Sequence, residues 1–128
     1  MLRLAGALIA SLVAVMAAAL VLLRRYEVEG RSMLPAHAPG DRVVALPLRL
    51  SRPLRRGDVV VVERPGGRCD LKRVAAGPGD TATLLGEERR LAADEWYLLG
   101  DNAAESTDSR QLGTVRTRQI VGRVVWRY

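Results

Sequence analysis

From Leu4 to Leu23 the chain carries no charged side chain, and only Gly6 and Ser11 interrupt an otherwise aliphatic and alanine-rich run. A helix rises about 1.5 Å per residue, so about 20 such residues reach about 30 Å, the thickness of a bilayer's hydrocarbon core. This limits the fold before anything else does. The segment either spans a membrane or is removed, and only the residues beyond it can build a water-facing domain. Met1–Arg3 and Ala17-Ala18-Ala19 also fit the basic start and the A-x-A site of a cleaved secretory signal. The apolar core of such a signal is about 7–15 residues long, whereas this run continues through Leu20-Val21-Leu22-Leu23 to a stop at Arg24-Arg25. The expectation is therefore an uncleaved anchor over residues 1–25 and a separate domain over residues 26–128. Arg3 and the amino terminus flank one end, and Arg24 and Arg25 the other, so the positive-inside rule leaves orientation open.

After the anchor the sequence reads as β. Short β-branched or aromatic runs recur at Tyr26–Glu29, Arg42–Leu46, Asp58–Glu63, Leu71–Ala75, Thr81–Leu85, Glu95–Leu99 and Ile120–Arg127. Turn signals separate them. Gly-Asp occurs at 40–41, 57–58, 79–80 and 100–101, and the first three pairs each lead into an expected strand, as turn punctuation does. Gly86–Asp94 reads as a polar hairpin loop. No helical periodicity longer than a turn or two occurs after residue 24. The expected fold is mostly β: one compact barrel-like or sandwich-like domain after a single transmembrane helix. With no Phe in the chain, its core must come from Val, Leu, Ile and Ala. Trp96, Tyr97 and Leu46-Pro47-Leu48 could form an apolar rim resting on the membrane, although core packing competes for them.

The net charge is +6, and nearly all of the basic residues lie beyond the anchor. A basic domain beside a membrane points to anionic lipid as a contact. The basic residues are scattered and form no nucleic-acid-binding signature, which argues against a nucleic-acid partner. Cys69 is the single cysteine, so an intrachain disulfide and a thiolate metal cluster are both excluded.

Lys72 is the one lysine among 20 basic residues. Where only positive charge matters, this chain uses arginine. Arginine cannot lose its proton in a protein, whereas a buried lysine can. Lys72 lies in an expected half-buried strand, and if its side chain points inward there, desolvation lowers its pKa and makes it a base. A base needs a nucleophile. Cys69 reads as a small buried or semi-buried thiol and His37 as a surface residue, neither within a catalytic pattern. A Ser-His-Asp triad would need His37, only five residues after Ser32, which is poor spacing for a base. Ser32 is the better candidate. It comes after a strand in Gly30-Arg31-Ser32-Met33-Leu34-Pro35, a turn that can present its hydroxyl and its N–H to one substrate carbonyl.

These residues resemble a known family. Gly30-x-Ser32-Met33-x-Pro35 with Gly40-Asp41 resembles the serine box of type I signal peptidases. Lys72-Arg73-Val74 with Gly77-Pro78-Gly79-Asp80 resembles their lysine box. Gly100-Asp101-Asn102, then Ser106-x-Asp108-Ser109-Arg110 and Gly113, resembles their last box, and the three come in family order. The resemblance implies Ser32 as nucleophile and a neutral Lys72 as its general base. It implies that Ser106 orients the Lys72 amine, that Asp108 and Arg110 pair beneath the site, and that Val28 and Leu71 line pockets for small substrate side chains. It implies a precursor protein or propeptide as substrate, a single-pass cell-membrane protein with its catalytic domain extracytoplasmic, and neither metal nor cofactor.

The chain departs from the family pattern in three ways. Gly30 stands where Gram-negative members often carry a serine that assists the oxyanion hole. Ala76 stands where a glycine is usual. The large insert of many housekeeping members is missing. The small size and the ending Gly122–Tyr128 resemble the branch of nickel-type superoxide dismutase maturation proteases, which makes a single propeptide an alternative substrate. A third reading is an inactive, membrane-tethered β module that binds a partner. Self-cleaving Ser/Lys repressors of the cytoplasm share related chemistry, but the anchor and the last box separate this chain from them.

Overall fold

The computed structural model describes residues 1–128. Leu2–Leu22 form helix α1, which is long and apolar enough to cross a membrane and buries no residue against the rest of the chain. A helix apolar on every side and packed on nothing has no place in water. The chain leaves it without a loop: strand β1 (Arg24–Glu27) begins two residues after the helix ends.

The remaining strands are β2 (Arg42–Pro47), β3 (Val59–Glu63), β4 (Cys69–Ala76), β5 (Thr81–Leu84), β6 (Glu87–Arg90), β7 (Glu95–Leu99), β8 (Val115–Arg116) and β9 (Ile120–Arg127). One curled antiparallel sheet runs in the order β1-β2-β9-β3-β4-β7-β8, and β5 and β6 form a separate hairpin. Every expected strand is present, with ends shifted by a few residues. The short helix α2 (Ser109–Leu112), β6 and β8 go beyond the sequence expectation.

Strand β3 shows why the sheet must curl. Val60, Val61 and Val62 are all fully buried, although successive side chains point to opposite faces. Val61 joins Val28, Met33, Val43, Ala45 and Leu71 in one apolar cluster. Val60 and Val62 join Val74, Leu98, Val115 and Ile120 in another. Both faces of this strand are therefore covered, and β4, which bears Lys72, pairs directly with it.

The first three Gly-Asp pairs share one local device. Asp41, Asp58 and Asp80 each accept the backbone N–H three residues earlier, from Ala38, Arg55 and Gly77 at 2.9, 2.7 and 2.9 Å. Each closes a turn whose glycine has a positive φ. Trp96 and Leu48, candidates for a membrane-resting rim, pack against the second cluster, and Trp96 Nε1 donates to Thr117 Oγ1 at 2.9 Å. Pro47 is buried. Two side-chain expectations are corrected. Cys69 is exposed, because it opens β4 opposite Glu63 at the end of the strand pair. His37 is half-buried, with its backbone N–H bonded to Met33 O at 2.9 Å inside the Ser32 loop.

Glu95 is a buried carboxylate that clamps three segments. It accepts from both Arg89 terminal nitrogens, from Ala92 N–H and from the Thr114 hydroxyl, at 2.7–2.9 Å. The Arg89 bonds come first among the causes that hold its carboxyl far below the usual carboxylate range, with Ala92 and Thr114 next. A depressed carboxyl stabilises the fold above the unfolded-state value, near pH 4, and that stabilisation is lost as pH falls below it. Glu95→Gln should therefore melt at a lower temperature than the wild type at pH 7, with the difference shrinking toward pH 2. An equal difference at both pH values would contradict the assignment.

Candidate active site

Ser32 sits in a loop that leaves β1 and returns at β2. Met33, next to it, is almost fully buried in the first apolar cluster and acts as the plug that seats the turn. Val28 N–H donates to Asp41 O and Gly40 N–H to Val28 O, both at 2.8 Å, closing the loop at its base. Ser32 itself is half-exposed. It borders a groove together with Val28, Met33, Cys69, Asp70 and Leu71. One wall is the end of the β1 segment and the other the start of β4. Val28 and Leu71, expected to line pockets, both face this groove, and both are also core residues.

Lys72 is only 3 % exposed. Its cross-strand partner is Val60, a fully buried side chain, so the lysine stem lies in apolar surroundings. Burial lowers its pKa below the ordinary lysine value. Asp70 and Asp108 oppose the shift, and Arg64 and Arg110 add to it. Lys72 Nζ donates to Ser106 Oγ at 3.1 Å, and Ser106 Oγ donates to Asp108 Oδ2 at 2.7 Å. Ser32 Oγ makes no side-chain hydrogen bond, so the amine is engaged by Ser106 and the Ser32 hydroxyl is free.

Asp108 is fully buried and heavily satisfied. It accepts Gly100 N–H at 2.9 Å, Arg110 N–H at 3.2 Å and the Arg110 guanidinium at both carboxylate oxygens. Burial alone would raise its pKa. The Arg110, Gly100 and Ser106 bonds outweigh burial and hold it below the usual carboxylate range. Asp108 also caps α2, where Gln111 reciprocates by accepting Asp108 N–H at 3.0 Å.

Gly100 is the point where the two halves of the site meet. A Cβ at this position would lie 2.1 Å from Ser106 Oγ and 2.7 Å from Ser32 O. The Ser32 turn and the serine bonded to Lys72 are thus both packed against one glycine. The next residues fasten the same junction. Asp101 forms a bidentate pair with Arg73, the residue after Lys72, at 2.8 and 2.7 Å. Asn102 N–H donates to Ser32 O at 2.8 Å. In the sequence, Gly100, Asp101 and Asn102 are visible only as part of a motif. The one available hint is that Gly100-Asp101 is the Gly-Asp pair that does not open a strand.

Comparison with known proteins gives the class. The family model described as signal peptidase, peptidase S26, matches residues 1–88 and 81–128, and the chain belongs to that family of peptidases. It is 28 % identical to a signal peptidase I of Bacillus caldolyticus, over 85 % of this chain and 81 % of that protein. It is 32 % identical to the mitochondrial ATP-independent inner membrane protease subunit 1b of Arabidopsis thaliana, over 77 % of this chain and 65 % of that protein. It is 34 % identical to the mitochondrial inner membrane protease subunit 1 of Schizosaccharomyces pombe, over 77 % of this chain and 68 % of that protein.

Proposed function

We propose that the chain is a membrane-anchored serine endopeptidase that removes leader peptides from exported precursor proteins through a Ser32/Lys72 acyl-enzyme mechanism. The observation that carries this reading is the buried Lys72, depressed by desolvation and held by Ser106 across Gly100 from the Ser32 turn. The apolar helix is the anchor, and the peptidase domain, on the extracytoplasmic side, begins with β1 at Arg24 rather than at Tyr26, since Arg24 and Arg25 pair with Ala45 and Val44 of β2. The names of its relatives, a signal peptidase and inner membrane proteases, support a leader-cleaving membrane protein.

In this reading an extended segment of the precursor lies in the groove, with small side chains against Val28 and Leu71. Ser32 Oγ attacks the scissile carbonyl carbon and passes its proton to neutral Lys72 Nζ. The Ser32 N–H accommodates the oxyanion. Collapse breaks the C–N bond, and the leaving amine takes the proton from Lys72. Water then attacks the Ser32 ester, again giving its proton to Lys72. Lys72 returns that proton to Ser32 Oγ as the carboxylic acid product leaves. Ser106 holds the lysine amine in line throughout, with Asp108 and Arg110 fixing Ser106 from below.

The test is cleavage of a leader peptide by detergent-solubilised protein across a pH series. Because the charged amine is inactive and burial depresses its pKa, kcat/KM should rise with pH and level off below the ordinary lysine value near 10.4. A rate independent of pH would contradict a lysine base. Ser106→Ala should lower kcat about 10- to 100-fold, the scale of a misoriented catalytic group, and leave KM nearly unchanged.

A further inference from the structure

We propose that Asn102 is a positioning residue that aims the Ser32 N–H at the groove by holding the carbonyl of the same peptide unit. The inference rests on the reading of Ser32 as nucleophile and adds a residue with a distinct task.

A trans peptide unit points its C=O and its N–H in opposite directions, and its planarity makes the two rotate together. The Arg31–Ser32 peptide is trans and contains both the Arg31 carbonyl and the Ser32 N–H. Asn102 Nδ2 donates to Arg31 O at 3.0 Å, from 71 residues along the chain. Within the turn itself, only the longer bond from Leu34 N–H, at 3.3 Å, reaches that carbonyl. Asn102 N–H simultaneously donates to Ser32 O at 2.8 Å. One residue therefore grips the carbonyls on both sides of Ser32. Fixing the first carbonyl fixes the direction of the Ser32 N–H, which donates to no protein group.

The orientation of the Asn102 amide is itself secured. Glu105 Oε2 accepts from Asn102 Nδ2 at 2.8 Å and pairs with Arg31 Nε at 3.3 Å. A carboxylate cannot accept from an amide oxygen, so the amide must present its nitrogen to both acceptors. The need for such a clamp comes from Gly30, which offers no hydroxyl to share the oxyanion and stands at a φ of 72° with nothing near its missing Cβ. With one protein donor identified, a small rotation of one peptide plane misaims it.

Asn102→Ala keeps the backbone bond to Ser32 O and loses the bond to Arg31 O. Its kcat for a leader peptide should fall about 10- to 100-fold, somewhat less than outright loss of an oxyanion donor, with KM unchanged. Affinity for a peptide aldehyde, whose adduct on Ser32 carries the tetrahedral oxygen, should fall by the same factor as kcat/KM. Affinity for the cleaved, unreactive leader peptide should hold. A merely structural role would lower the melting temperature and the titrated fraction of active sites, and leave kcat per active site and aldehyde affinity at wild-type values. That result overturns the proposal. If Asn102→Ala does not fold, Glu105→Ala decides, since Glu105 is exposed. A fall of a few-fold in kcat and in aldehyde affinity together supports the clamp, and wild-type values of both overturn it. Full cleavage by Ser32→Ala would instead refute the underlying reading of the site, and is told apart because it involves no change at Asn102.

Discussion

Lys72→Arg should leave a folded protein that cleaves leader peptides about 10³-fold more slowly than the wild type, the scale of losing a general base. The substitution keeps a positive charge on a stem of similar length and removes only the ability to give up a proton. The surroundings make that ability expensive to lose. Lys72 is 3 % exposed and faces Val60 across the sheet. A neutral amine suits this setting and a permanent guanidinium does not, so Lys72→Arg should also melt at a lower temperature. Lys72→Met separates the two effects. It should be as inactive as Lys72→Arg and melt at or above the wild-type temperature at pH 7. The sign comes from linkage: a lysine with a lowered folded-state pKa binds fewer protons folded than unfolded between the two values, so its charge opposes folding below them. A Lys72→Arg enzyme with wild-type kcat would remove the lysine from the chemistry.

Gly100→Ala should be the most damaging single methyl in the domain. The added carbon would meet Ser106 Oγ at 2.1 Å, Ser106 Cβ at 2.6 Å and Ser32 O at 2.7 Å. Two of these atoms belong to a serine held on both sides, by Lys72 and Asp108, and the third is backbone held by Asn102. None can yield without moving the site. Overpacking of this kind costs about 1–3 kcal/mol, and displacement of reacting groups by about 1 Å costs about 10²-fold in rate. The variant should therefore lose both melting temperature and kcat. Gly6→Ala, where nothing lies within 4 Å of the added carbon, should lose neither. If Gly100→Ala retained full kcat, the two halves of the site would not meet at that glycine.

Much of the domain is legible in the sequence for definite reasons. Strands β2, β3 and β9 advertise themselves by β-branched runs, and the Gly-Asp turns mark where three of the expected strands begin. Strand β6 is hidden because Glu87–Arg90 is wholly charged and exposed; what makes it a strand is the Leu85-Gly86 turn, with φ of 51° and 86°. Strand β8 has two residues and exists only because Glu95 and Trp96 pair with it. Lys72 stands out by composition alone, being the exception in an arginine-rich chain. The Ser106–Asp108–Arg110 arrangement is visible only through a resemblance. Its residues look like an ordinary polar loop until long-range packing sets them beside Lys72. Burial of Glu95, the exposure of Cys69 and the grip of Asn102 on Arg31 depend on contacts between distant segments. Local pattern has no access to those.

Ser32 is proposed to carry the acyl group, and Lys72 to enable its transfer. Cys69 makes the test sharp, since an exposed thiol lines the same groove. Detergent-solubilised full-length protein would be treated with a serine-directed acylating inhibitor, digested and mapped by mass spectrometry. The expected result is one acyl group on the peptide containing Ser32, formed faster at higher pH in the wild type and almost absent in Lys72→Arg. Acylation confined to Cys69, or equal labelling of Ser32 in the wild type and Lys72→Arg, would contradict a Ser32/Lys72 mechanism.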